Sequence, residues 1–346
     1  MRILGIESSC DETAAAIIED GQHILSNVVN SQIDIHAAYG GVIPEIAARS
    51  HIEAILPVVH RSLSDAQLSF SDLDAIAVTH TPGLVGSLLI GTLTARTLAI
   101  LHHLPLYPTH HLKSHIYANW LSGHQANFPL LAFVISGGHT QIIYMAHHDD
   151  FHIVGSTRDD AIGEVFDKVA KILGLPYPGG PAIAQAALQG DPHKYHLPIP
   201  HVDGLDFSFS GLKTAVLRAV QKELQLPITT PSYQLKDQLT TQQVADFAAS
   251  FQSTVAQIAT LKLKAAARQY PAAQSILLAG GVSANQVLRQ HLTDAFRHSH
   301  QIYFPEPQFC TDNAAMVASA AYYSIQTGEQ PHDPYSLDIS PRSIIS

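Results

Sequence analysis

Apolar blocks alternate along the chain with polar, glycine-bearing turns. Residues 3–6 are apolar, residues 7–12 are polar and residues 13–18 are apolar again, which predicts two strands joined by a tight turn. The pattern returns at residues 130–135, 136–140 and 141–145, now around a Gly-Gly turn. Each hairpin is followed by strand-then-helix units. Residues 74–79 read as a strand, Pro82-Gly83 as a turn and residues 84–101 as a buried helix. Residues 151–155 then predict a strand and 159–173 a helix, and 274–279 a strand that turns at Gly280-Gly281 into a helix over 283–296. Residues 301–304 predict one more strand. Thr311 is placed to cap a last helix running to about Gln326, with Gly328 just past its end.

Two hairpins, each heading a series of strand and helix crossovers, predict an α/β fold of duplicated domains facing a cleft. Hairpin turns aimed into one cleft can grip a phosphate chain, because Gly-rich turns present unobstructed backbone N–H groups. The prolines at 105 and 108 suggest a boundary, giving a first domain over 1–108 and a second over 109–311. The helix over 312–328 is expected to pack back on the first domain, and residues 190–232, rich in Pro, His and Thr, read as an insertion on the second.

The chain has 346 residues, 46% hydrophobic and 14% charged, enough for two packed cores and unlike a disordered composition. The N-terminal residues carry no apolar leader stretch, and the apolar region at 83–101 is broken by Arg96, threonines and glycines, so no membrane span is expected. Only Cys10 and Cys310 carry thiols, which excludes a disulfide framework or a cysteine zinc cage and fits a reducing cytoplasm. The net charge of −10 argues against a general nucleic-acid binder, so any RNA contact needs a local basic patch or a basic partner. Lys262, Lys264 and Arg268 recur at helical spacing and offer either such a patch or an ordinary solvated face.

Several segments hold residue types suited to chemistry, and each also has a plain structural use. His111 and His115, four apart, would share one helix face and can share a metal. With 22 histidines in the chain, chance supplies ~1.4 such pairs, and His148 with His152 forms another, so spacing alone decides nothing. Leu112 follows the first histidine, where a zinc protease would have its Glu. Ser136-Gly137-Gly138-His139-Thr140 exposes N–H groups or is a simple hairpin turn. Tyr177-Pro178-Gly179-Gly180-Pro181, after Asp167 and Lys168, allows close approach to a ligand or joins two helices. Gly280-Gly281 at a strand end, with Asn285 in the first turn beyond, suits a nucleotide or a helix cap. Asp312 opens the last helix, as a dipole partner or as a third metal ligand. The turn Glu7-Ser8-Ser9-Cys10-Asp11-Glu12-Thr13 is dense in polar groups, where Asp11 or Glu12 can act as a base or sit solvated.

Taken in order, Gly-Ile-Glu-Ser-Ser-Cys-Asp-Glu-Thr, Tyr-Gly-Gly-Val-Ile-Pro-Glu, Pro-Gly-Leu-Val-Gly-Ser-Leu, His-x-x-x-His, Ser-Gly-Gly-His-Thr, Phe-Asp-Lys, Tyr-Pro-Gly-Gly-Pro, Phe-Ser-Phe-Ser-Gly-Leu-Lys-Thr, Gly-Gly-Val-Ser-Ala-Asn and Cys-Thr-Asp-Asn closely resemble the bacterial TsaD family. The resemblance spans residues 2–328. It implies the two-domain architecture of actin, Hsp70 and sugar kinases (ASKHA). The implied activity is transfer of a threonylcarbamoyl group from L-threonylcarbamoyladenylate to the 6-amino group of adenosine 37, in tRNAs reading codons that begin with A, with release of AMP. By resemblance, His111, His115 and Asp312 hold a divalent metal, iron(II) or in its place zinc. Val134, Ile135, Ser136, Gly137, Gly138, Asp167, Gly180 and Asn285 would bind the donor. The implied partners are tRNA, a TsaB-like paralogue and a TsaE-like ATPase, with TsaC making the donor upstream.

Two positions depart from the family pattern. Lys113 stands between the histidines where an acidic residue is common, and Ala184 stands where many relatives have a donor-contacting Asp. Asp11 and Glu12 are the candidates for accepting the amine proton. The alternatives are a small-molecule kinase of the same architecture, a metalloprotease and a non-catalytic scaffold. The ordered motifs weigh against the first, the missing Glu against the second and retention of all three metal-ligand residues against the third.

Overall fold

A computed structural model describes all residues of the chain except 149, 236, 237, 343, 344 and 346. It divides into two compact units, one comprising Met1–Asn127, Met145–His152 and Pro305–Ser346, the other Phe128–Tyr144 and Ile153–Phe304.

In the first unit the elements run β1 (Arg2–Glu7), β2 (Glu12–Glu19), β3 (His23–Ser31), α1 (Ile33–Ala37), α2 (Pro44–Ala66), β4 (Ala75–Thr81), α3 (Val85–His102), β5 (Leu106–His110) and α4 (His111–Leu121). The second unit supplies β6 (Leu130–Ile135), β7 (Thr140–Met145), β8 (Phe151–Ser156), α5 (Ile162–Ile172), α6 (Gly179–Ala186), α7 (Ser210–Glu223), α8 (Thr241–Gln269), β9 (Ser275–Ala279), α9 (Gln286–Phe296) and β10 (Gln301–Tyr303), with β7 and β8 reaching into the stretch assigned to the first. The chain ends in the first unit with α10 (Pro307–Cys310) and α11 (Ala314–Gln326).

Each unit is built on a five-stranded sheet, ordered β3-β2-β1-β4-β5 in the first and β8-β7-β6-β9-β10 in the second. The two orders are the same topology, as the repeated hairpin predicts. In the first sheet β1 runs antiparallel to β2 and parallel to β4, and β4 runs parallel to β5. Both faces are covered, so the strands read as continuous apolar runs rather than alternating ones. Leu4, Ile6, Ala15, Ile17, Ile76 and Val78 face the core shared with α2 and α3. Ile3, Ala14, Ala16, Ala75 and Ala77 face the core shared with α11. Helix α11 meets the sheet closely because its inner face is alanine, and a Cβ on Gly5 would lie 2.3 Å from the Ala314 carbonyl oxygen.

Several expectations change. Residues 105–108 do not separate domains, since Leu106–His110 form an edge strand paired with β4, and the compact units divide after Asn127. Two prolines punctuate this segment, but an edge strand tolerates them. Within the segment read as an insertion, α7 sends Leu212, Val216 and Val220 into the second core. Helix α3 is buried on one face only, through Ser87, Leu88, Gly91, Thr92, Ala95 and Ala99, while Val85, Leu89 and Leu93 are exposed. It is the one described helix long and apolar enough to cross a bilayer by length and composition.

Candidate metal centre and donor site

The candidate metal ligands of the first unit come from stretches far apart in the chain. Strand β5 passes into α4 without a loop, and the His110 ring accepts the Leu112 N–H at 3.2 Å as a cap. One turn of helix then sets His111 and His115 on a single face, with ring centroids 4.6 Å apart. Asp312 lies in the link between α10 and α11, beside α4, against which α11 packs. Its Oδ1 is 3.0 Å from Nε2 of His115 and 3.6 Å from Nε2 of His111.

This donor set fits a divalent ion. The three ligand atoms lie within 4.8 Å of one another. Ligands held about 2.1 Å from an ion stand roughly 2.9–3.4 Å apart, close to the two separations from Asp312 to the histidines. His115 is 1% exposed, and its Nδ1 has no hydrogen-bond partner among the described residues, so the ring's visible polar contact is the one with Asp312.

Behind His111 stands a residue that spacing alone did not single out. Glu7, at the carboxyl end of β1, is fully buried. Its Oε1 accepts the Ser9 N–H at 2.6 Å, and its Oε2 accepts the Thr79 hydroxyl at 2.7 Å and lies 3.2 Å from His111 Nδ1. Ser9 Oγ sits 3.1 Å from the same nitrogen. Burial opposes ionisation of Glu7, but the charge and hydrogen bond of His111 outweigh it and hold the carboxyl below its usual range. Burial likewise opposes a charge on His111, yet Asp312 and Glu7 raise it to about 9.

The polar turn after Glu7 is held rather than solvated. Asp11 is buried, and Glu12 is pushed up to about 9 by burial and by the charges of Asp312 and Asp11. Burial and the same acidic neighbours push the Cys10 thiol up. His51 of α2, also fully buried, locks the turn: its Nε2 lies 3.0 Å from the Cys10 carbonyl and its Nδ1 2.8 Å from the Thr13 hydroxyl. Burial lowers its affinity for a proton, so the neutral ring donates to Cys10 and accepts from Thr13. The signal for His51 was its place in the buried row Ala47, His51, Ile55 and Val58 of α2; for Glu7 it was an acid closing an apolar strand.

Two local expectations are corrected here. The cap of α11 is Asn313, whose side chain accepts the Met316 N–H at 3.0 Å, and not Thr311. Asp312 therefore precedes the helix, and its carboxylate faces the imidazoles. Lys113 lies two residues beyond His111, off the metal-facing side of α4, with Nζ 4.4 Å above the Phe151 ring.

The donor-binding candidates all belong to the second unit. The turn between β6 and β7 is closed by the Ser136 N–H donating to the His139 carbonyl at 2.9 Å. Gly137 and Gly138 are exposed with open space where a side chain would stand. The Gly163 N–H, at the start of α5, donates to the Ser136 carbonyl. Asp167 accepts the Gly179 N–H at 2.7 Å and so fixes the Gly179-Gly180 loop, with the space around Gly180 open. Gly280 has φ +87°, and a Cβ there would meet the Ile135 carbonyl oxygen at 2.4 Å, so only glycine brings the β9 turn against the end of β6. The side chains of Val134 and Ile135 are buried in the sheet. Asn285 is the cap of α9 and lies before its first turn: Oδ1 accepts the Leu288 N–H and Nδ2 donates to Gln252. The basic trio is also changed, since Lys262 donates to the carbonyls of Val202 and Gly204.

Comparison with known proteins settles the family. The sequence model of TsaD, described as tRNA N6-adenosine threonylcarbamoyltransferase, matches residues 23–319. The chain belongs to the TsaD family. It is 47% identical to the enzyme of that name from Thermomicrobium roseum, over 95% of this chain and 93% of that one. It is 49% identical to that of Halalkalibacterium halodurans, over 98% of this chain and 95% of the other. As a TsaD-family member the chain is a transferase, and its fold is of the ASKHA type. Among solved structures, the T. kodakarensis HypF chain matches with a TM-score of 0.63 at 13% identity, over 94% of this chain and 48% of HypF, a likeness of fold alone.

Proposed function

We propose that this TsaD-family transferase moves the threonylcarbamoyl group of L-threonylcarbamoyladenylate onto the 6-amino group of tRNA adenosine 37. The observation that carries this reading is the convergence of His111, His115 and Asp312, in a chain matched to the family over most of its length. The adenine amine is a poor nucleophile because its lone pair is delocalised into the ring. The protein must align the amine with the carbamoyl carbon and stabilise charge on the carbonyl oxygen and the leaving phosphate. The new N–C bond forms, the C–O bond to phosphate breaks and AMP departs.

The N–H groups of Gly137 and Gly138 suit the donor's phosphate or carbonyl oxygen. Ser136, Asp167, Gly180 and Asn285 shape the adenylate site, in which Val134 and Ile135 form the strand end. His111, His115 and Asp312 would hold iron(II), the donor set also accepting zinc. A divalent cation bound there would supply Lewis-acid polarisation and would offset the carboxylate charge that, with burial, raises Glu12. Asp11 and Glu12 are the proposed acceptors of the amine proton.

The acidic balance of the chain and the commitment of Lys262 to backbone carbonyls favour a partner that shares the tRNA. A TsaB-like paralogue and a TsaE-like ATPase are the proposed partners. Exposed Ile52 and Leu56 on α2, with Val85, Leu89 and Leu93 on α3, support a protein contact on the first unit. The two free thiols and a tRNA substrate fit the cytoplasm. The test is reconstitution: the chain and partner proteins are incubated with threonine, bicarbonate, ATP and tRNA, and nucleosides are analysed by mass spectrometry. Threonylcarbamoyladenosine that forms only with the chain present supports the reading; modification undiminished without the chain rejects it.

A further inference from the structure

We propose that Glu7 is a positioning residue for the metal centre: its carboxylate accepts a hydrogen bond from the Nδ1–H of His111, fixing the ring's tautomer and turning Nε2 towards the ion. This deepens the metal-centre reading and rests on it. Among the described residues, the other hydrogen-bond partners of Glu7 are donors, namely the Ser9 N–H on Oε1 and the Thr79 hydroxyl on Oε2. A carboxylate only accepts, so the 3.2 Å contact with His111 Nδ1 calls for a proton on that nitrogen. Ser9 Oγ, 3.1 Å from the same nitrogen, can share that proton as a second acceptor. In the neutral ring that would ligate an ion, the remaining lone pair is on Nε2, the atom that faces Asp312.

The two metal histidines are therefore supported differently. His111 is oriented by a fully buried anion on the neighbouring strand. His115 is oriented by packing, with no partner at Nδ1 among the described residues. A carboxylate behind a ligating imidazole fixes its orientation and raises its basicity, and losing such a partner typically weakens metal binding ~10–100-fold. The alternative is that Glu7 only braces the turn after β1 through Ser9 and Thr79. The Thr79→Val variant separates the two, because it removes one brace and leaves the His111 contact.

The test is cobalt(II) titration of the full chain, followed by its visible absorption under chelator competition. Glu7→Gln is expected to weaken binding ~10–100-fold, and Thr79→Val to stay within about threefold of the original. Glu7→Gln binding as tightly as the original protein overturns the proposal, as does equal weakening by both variants. Should Glu7→Gln fail to fold, histidine-labelled nitrogen NMR of the zinc-loaded original protein decides, with His111 assigned by its loss in His111→Ala. A proton on Nδ1 and zinc on Nε2 support the proposal; zinc on Nδ1 overturns it. An original protein that binds neither cobalt nor zinc overturns the metal-centre reading itself, whereas normal binding that Glu7→Gln leaves intact overturns only the role of Glu7.

Discussion

Oδ1 of Asp312 lies 3.0 Å from Nε2 of His115, a contact made because the alanine face of α11 lets the last helix settle against α4 and the sheet. Removing a candidate ligand of this centre should cost metal binding. Asp312→Ala and His111→Ala are each expected to bind metal at least ~100-fold more weakly and to lose tRNA modification. His111→Ala should in addition lower stability by about 2–4 kcal/mol in urea unfolding, because it leaves the buried Glu7 carboxylate uncompensated. Full modification by a metal-free His111→Ala protein would reject the metal's part in the reaction.

His51→Ala is expected to destabilise the protein by about 2–4 kcal/mol, because it opens a buried space, removes the partner of the Thr13 hydroxyl and leaves the Cys10 carbonyl with the Ser87 hydroxyl alone. Denaturant midpoints measure this. A loss below about 0.5 kcal/mol would show that the turn carrying Asp11 and Glu12 holds its shape without the ring.

Asp159 caps α7 from outside the helix, accepting from the Phe209 N–H at 2.7 Å and from the Ser208 and Ser210 hydroxyls. Burial pulls the carboxyl up, but these donors together outweigh it and hold it below its ordinary value. The stabilisation is therefore present above the unfolded value of about 3.9 and is lost as pH falls through the lower folded value. Asp159→Ala should cost about 1–2 kcal/mol at neutral pH, with the gap from the original protein narrowing as pH falls below the unfolded value. A gap that stays constant as pH falls from neutral to well below the unfolded value would contradict the cap.

Asn285 allows its two duties to be separated. Asn285→Asp keeps the oxygen that caps α9 and should leave stability within about 0.5 kcal/mol, while Asn285→Ala should lose about 1 kcal/mol. Both remove the amide donor, so both are expected to raise the concentration of threonylcarbamoyladenylate needed for half-maximal modification. Unchanged donor dependence in Asn285→Asp would confine this residue to capping.

Much of the fold is legible in local pattern. The runs at 3–6, 13–18 and 130–135 recur as β1, β2 and β6, because a strand covered on both faces must be apolar at nearly every position. The first predicted boundary fell inside β5, because prolines that punctuate a loop are also allowed in an edge strand. The edge strand β3 and the long helix α2 have weaker patterns; Pro44 at the first turn of α2 is the mark that sequence offers for its start.

The sequence by itself determined the types of candidate ligand, their order and the one-turn spacing that puts His111 and His115 on the same face. It also determined the Gly-rich turns, since few other residues allow such close backbone approach. Only the tertiary structure decided that Asp312 meets the two imidazoles, that Glu7 stands behind one of them and that His51 holds the turn beside it. Those encounters join stretches far apart in the chain. Local spacing fixes geometry over a few residues, whereas the packing of α2, α4 and α11 about one sheet sets which distant side chains share a site.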